Sequence, residues 1–250
     1  MDLLRLAILF TLHVCLINAC QTRYNRKSPV LELRPLLAES GSTLIWLKTS
    51  VQESVRYWQN ELDNFLKPYI NRDVSENMET CSREMPPSKD KFCEVNIGPD
   101  FGPCTPKHGY GYHKGTPCIF LRLNEIPKGW TPQFYNSSVT PKEIPEYLKT
   151  HIKHNEVLGR YQTVWVSCDG VNAADKENIG PVSFYPEMGF PANHLLNSNV
   201  RGYRPPLVAV FFEKPQRGIV INIVCSVWAA NIPRDLDQKI GSVQFVLLVD

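Results

Sequence analysis

The sequence predicts a mainly β protein, an antiparallel β-sandwich carrying one prominent amphipathic helix and disulfide-stapled loop insertions. Three observations predict it. Short apolar or alternating runs such as "YQTVWVSC" (161–168) and "VQFVLLV" (243–249) have the composition of strands. One stretch alone, 50–68, has a long helical period. Long Pro- and Gly-containing connections separate the runs, with no repeating unit.

In chain order, residues 1–20 come first, "MDLLRLAILFTLHVCLINAC", apolar from Leu6 to Ile17 and reaching small residues at Ala19 and Cys20. They read as a signal peptide or short signal anchor. Twelve helical residues cover about 18 Å of a hydrocarbon core about 30 Å thick, which disfavours a full span. Arg23, Arg26 and Lys27 after the run would oppose an uncleaved orientation. Residues 21–42 are polar and read as an irregular leader, and 43–250 as the folded domain.

The helix follows. Ser50 and Glu53 have capping-box spacing, and Val51, Val55, Trp58, Leu62, Phe65 and Leu66 recur at helical intervals until Pro68. Its polar face carries Glu53, Glu61 and Asp63, so the expected role is docking on a sheet, not lying on a membrane. From Asn71 to Gly115 the chain reads as a loop-rich, stapled region. Ile119, Leu121 and Leu123 then alternate with Phe120, Arg122 and Asn124 as a strand does. In "PPLVAVFFEKPQRGIVINIVC" (205–225) the apolar runs Leu207–Phe212 and Ile219–Trp228 read as a hairpin about "EKPQRG". Continuous apolar runs suit strands covered on both faces.

Of eight cysteines, Cys15 and Cys20 fall in the signal-like segment 1–20; the other six are Cys81, Cys93, Cys104, Cys118, Cys168 and Cys225. An even number after a signal-like segment implies an oxidising compartment and disulfides. Six cysteines allow fifteen pairings; joining sequence neighbours is the simplest. A zinc site is disfavoured, because no C-x-x-C pair occurs. Asn136-Ser137-Ser138 is an N-glycosylation acceptor.

A formal net charge of +2 spread along the chain provides no basic stripe for nucleic acid. No G-x-S-x-G, Walker loop or H-E-x-x-H is present. "GYGYHKG" (109–115) lacks dinucleotide-fingerprint spacing and reads as a tight turn beside two cysteines. His151 and His154 read as a solvated pair, and Asp169, Asp175 and Glu177 as part of a long surface turn without calcium-loop spacing. The expectation is a protein with no catalytic, cofactor or metal residues.

Four segments together, "STLIWLKTS" with "LDNFLKPY", "GYGYHKGTPCIFLRLNEI", "CDGVNAADKENIGPVSFYP" and "RPPLVAVFFEKPQRGIVINIVCSVWAANI", carry a family resemblance. Over roughly Pro29 to the C-terminus the chain resembles the β subunit of the sodium/potassium-transporting ATPase, of the insect type. The resemblance implies an immunoglobulin-like sandwich, with Cys81 paired to Cys93, Cys104 to Cys118 and Cys168 to Cys225. It implies a noncatalytic glycoprotein at the plasma membrane, modified at Asn136, that escorts and stabilises the catalytic α subunit and modulates potassium transport. It also implies partner contacts at Tyr203, Pro206, Leu207, Val208, Ala209 and Val210. The short apolar segment and two-residue tail before it depart from the family pattern, so a secreted chain, or an adhesion module that kept the fold without the pump, is the alternative.

Overall fold

The computed structural model describes residues 28–35, 43–70, 76–235, 237–238 and 240–250. The signal or anchor read over 1–20 lies outside the described residues.

Apolar residues at alternate positions build two facing sheets. Strands β1 (Val30–Arg34), β5 (Cys118–Asn124), β9 (Leu207–Phe212) and β7 (Val182–Tyr185) form a four-stranded sheet in the order β1-β5-β9-β7. Strands β2 (Leu44–Leu47), β11 (Ser242–Val249), β10 (Ile221–Trp228), β6 (Thr163–Gly170) and β8 (Gly189–Pro191) form a five-stranded sheet in the order β2-β11-β10-β6-β8. The core between them holds, among others, Phe212 of β9 set edge-on to Phe245 of β11, with ring centroids 6.1 Å apart. The pairings are antiparallel except β2 with β11 and the short pair β3 (Met78–Glu79) and β4 (Phe92–Cys93), which run parallel.

The four-stranded sheet is covered on its outer face as well. Helix α1 (Gln52–Ile70) buries Val55, Trp58, Leu62, Leu66 and Tyr69 along one stripe. Phe120 of β5 meets the rings of Phe65, Phe101 and Tyr110 at 6.3, 6.2 and 6.2 Å. Phe101 ends the 3-10 turn Pro99–Phe101, and Tyr110, with φ +52°, sits at the kink inside the segment Pro106–Lys114. Gly111, between the two buried tyrosines, has φ +76°, and a Cβ there would lie 2.0 Å from the Thr116 carbonyl oxygen. Only glycine fits that turn. The Tyr110 hydroxyl donates to Asp63 of α1, locking this insertion onto the helix.

The start of α1 is tied by the Lys48 N–H donating to Ser54 Oγ at 3.1 Å, in place of a Ser50–Glu53 box. The helix runs past Pro68 to Ile70, since a proline in the last turn forfeits only one backbone bond. Helix α2 (Glu146–Val157) packs Leu148 and Ile152 with Trp165 and Trp228 of the five-stranded sheet.

Three sequence expectations are corrected. The stretch read as an irregular leader contains β1, whose Leu31 and Leu33 are buried while Glu32 and Arg34 face the other way. Its alternation is real but only five residues long and masked by charge. The hairpin does not form: β9 and β10 lie in different sheets, so "EKPQRG" is a crossover. β9 pairs with β5 and β7, and β10 pairs with β6 and β11. Finally, the surface turn read over 168–180 contains the end of β6 and helix α3 (Ala173–Asn178). Asn172 caps that helix by accepting from the Asp175 N–H at 3.0 Å. Asp175 is buried and accepts from the Asn222 N–H at 3.0 Å.

Candidate functional site

Disulfides frame the surface. Cys81 bonds Cys93, Cys104 bonds Cys118 and Cys168 bonds Cys225, across 12, 14 and 57 residues. Cys168 and Cys225 are register partners on β6 and β10, so the longest link lies within one sheet. In antibody domains the corresponding bond joins the two sheets.

The six residues expected to meet a partner are placed unequally. Pro206 is buried. Leu207 is 4% exposed, and Val208, Ala209 and Val210 are 0% exposed. The reason is the two-sided cover of β9. Ala209 pairs with Phe120 and shares its outer face under α1, while Val208 and Val210 pair with Leu121 and Ile119 on the inner face. These five side chains are core. Tyr203 alone keeps part of its surface.

Tyr203 is held firmly. Its hydroxyl donates to the His194 carbonyl at 2.8 Å, and its ring stands edge-on to Phe92 at 5.9 Å. Burial, with a smaller contribution from Tyr69, pushes its phenol above the ordinary tyrosine value. It lines an open groove of about 350 Å³ at the end of β5, together with Leu123, Asn124, Ile126, Val200 and Pro205. Sequence reasoning names Tyr203 but not Leu123 to Ile126, which become its neighbours only through the β5–β9 pairing.

A half-buried ionic cluster braces the same end. Glu32 accepts from Arg122 Nε at 2.6 Å and Asn124 Nδ2 at 3.1 Å, and pairs with Arg34. Both guanidiniums lie over the Phe65 ring, 5.2 and 5.1 Å from its centroid. Burial raises the Glu32 pKa, but the hydrogen bond and charge of Arg122, then Arg34, outweigh it and hold the carboxyl below its usual range. Tyr69 of α1 donates to the Pro205 carbonyl at 3.1 Å, tying the helix to the segment entering β9.

The other candidates resolve as structure. His151 is half-buried, edge-on to Trp165 at 5.5 Å, and within 3.0 Å of Asn155 Nδ2, so it is not the solvated partner of exposed His154. Among the described residues, no three His, Cys, Asp or Glu side chains converge as a metal site, and no helix is long and apolar enough to cross a membrane. Asn136 is exposed at a tight turn, its Oδ1 accepting from the Ser138 and Val139 N–H groups at 3.0 and 2.8 Å.

Fold and surface together define a disulfide-stapled β-sandwich with a braced groove at one end of its four-stranded sheet. Residues 4–245 match the family described as the sodium / potassium ATPase beta chain. The chain is 43% identical over 232 residues to sodium/potassium-transporting ATPase subunit beta-2 of Drosophila melanogaster, covering 89% of this chain and 71% of that protein. It is 37% identical over 228 residues to subunit beta-1 of the same organism, with coverage of 89% and 71%. Subunit beta-2 of Mus musculus is 26% identical over 243 residues, with coverage of 89% and 72%. The chain belongs to the sodium/potassium ATPase beta chain family.

Proposed function

We propose that this chain is a noncatalytic accessory subunit that assembles with the catalytic α subunit of a sodium/potassium-transporting ATPase. It assists the assembly, stability and trafficking of α and modulates potassium transport. The observation that carries this reading is the family match over residues 4–245. Residues 1–20 direct the chain to the secretory pathway, and the sandwich lies on the extracellular side, in keeping with its disulfides. The partner meets the groove at Tyr203, and the buried residues Pro206 to Val210 act by holding that groove in place.

The test is coexpression of the tagged full chain with a sodium-pump α subunit in insect cells, followed by mild-detergent purification. Recovery of α comparable to that with an established β subunit supports the reading. A folded chain that recovers no α overturns it and points to the binding-module alternative.

A further inference from the structure

One wall of the Tyr203 groove is a closed loop. Ser198, Val200 and Gly202 line the groove. The loop that carries them is shut by the Tyr203 hydroxyl, which donates to the carbonyl of His194, 9 residues earlier, at 2.8 Å. His194 belongs to the 3-10 turn Ala192–Leu195. Its neighbour Asn193 is buried and donates from Nδ2 to the Ser82 and Arg83 carbonyls at 2.6 and 3.1 Å, which clamps the turn to the loop between Cys81 and Cys93. The bond that shapes the groove therefore ends on the backbone of a histidine.

That histidine is set against taking up a proton. Its Nδ1 is buried with no hydrogen-bond partner among the described residues, so a proton there would be a charged donor without an acceptor. The groups around the turn do not compensate it. Arg83 acts on the ring with like charge and is itself held by Glu187 and by Thr163 Oγ1. Glu94 offers its backbone to the ring, while its carboxylate accepts from Thr80 at 3.4 Å, and Lys91 pairs with Glu79 at 3.7 Å. We propose that His194 is an acid-operated latch on the Tyr203 groove: a proton taken from solvent by the ring displaces the 3-10 turn, its carbonyl leaves the Tyr203 hydroxyl, and the groove releases its partner. Burial, then the Arg83 charge, hold the closed ring below its ordinary 6.5. The open loop therefore binds the proton first, and opening gains as pH falls through 6.5. The identity of the partner rests on the accessory-subunit reading above; the latch itself is tested on the chain alone, so that the two fail separately.

The experiment is amide hydrogen exchange on the purified full chain, corrected for the intrinsic pH dependence of exchange. In wild type, protection over 194–203 should fall by up to about tenfold per pH unit below 6.5. It should stay below that of β11, which marks local opening and not global unfolding. His194→Gln, which takes up no proton, should hold 194–203 steady over the same range. Tyr203→Phe keeps the ring but removes the hydroxyl, so its loop should be less protected at neutral pH and insensitive to acid. A second arm compares α recovery at neutral pH and at about pH 5.5; acid should lower it severalfold for wild type and not for His194→Gln. The latch is overturned if wild-type protection does not respond to acid, if 194–203 exchanges only together with β11, or if His194→Gln shows the same loss. If His194→Gln is not secreted, Tyr203→Phe decides, and an acid response that survives loss of the hydroxyl overturns the latch. Acid-lowered α recovery that is equal in wild type and His194→Gln overturns release of the partner by this route. A wild type that recovers no α at neutral pH overturns the accessory reading and, with it, partner release, while the exchange result still judges the latch.

Discussion

The Tyr69 hydroxyl, in the last turn of α1, donates to the carbonyl of Pro205 at 3.1 Å, where the chain turns into β9. One hydrogen bond therefore couples the helix covering the four-stranded sheet to the groove at its end. Tyr69→Phe should cost about 1 kcal/mol, the usual net worth of such a bond. Urea unfolding of the purified chain measures this, and an unchanged midpoint would remove Tyr69 from the bracing of the groove.

Tyr203 and Leu207, four positions apart in sequence, should fail in different ways. Tyr203→Ala strips a groove wall from a chain that still folds, so α recovery should drop while secretion persists. Leu207→Ser empties a core position and strands a hydroxyl there, at a cost of about 2 to 5 kcal/mol. Its secretion should fall first. Equal secretion of the two variants would contradict the placement of Leu207 in the core.

Removing Cys168 should be the costliest single disulfide loss. Its bond closes 57 residues against 12 and 14 for the others. Chain-entropy reasoning assigns such loops about 4 and about 3 kcal/mol respectively. It would also leave the Cys225 thiol buried in β10. Thermal unfolding of Cys168→Ser beside Cys81→Ser tests the ranking.

Glu32 predicts acid sensitivity. The folded protein keeps this carboxyl ionised to a lower pH than the unfolded chain does, where its value is near 4.5. Its contribution is therefore complete above that value and is lost as pH falls through the lower folded value. Glu32→Gln should destabilise the protein at neutral pH and flatten the decline below 4.5. A parallel decline in both forms would sink the assignment.

His194 acts in a higher window. Burial, reinforced by the Arg83 charge, outweighs the backbone bond at Glu94 and holds its folded pKa below the ordinary 6.5. The unfolded chain binds a proton first, so stability should fall as pH drops below 6.5. His194→Gln should reduce that slope, read from unfolding midpoints across the range.

Much of the fold was legible because its signals are local. The stripe Val55, Trp58, Leu62, Leu66 repeats within single helical turns, and β5, β6, β10 and β11 each carry enough apolar residues to declare themselves. Helix α3 was not legible, because its acidic and amide residues look like solvent-facing turn chemistry until Asn222 supplies a partner for Asp175. His151 misled for the same reason, its company being the Trp165 ring from another element. At the candidate groove, Tyr203 is among the residues the sequence nominates, while Leu123 to Ile126 are not.

The sequence by itself determined the β class, the long helix and the disulfide chemistry of six cysteines through residue types and spacings, and its resemblance in four segments carried the family. Tertiary structure alone decided that β9 and β10 part into different sheets, that β1 joins the core, and that of Tyr203, Pro206, Leu207, Val208, Ala209 and Val210 only Tyr203 reaches the surface. An apolar run carries the same composition whether it is covered on one face or two. Which faces are covered depends on strands and helices that arrive from far along the chain.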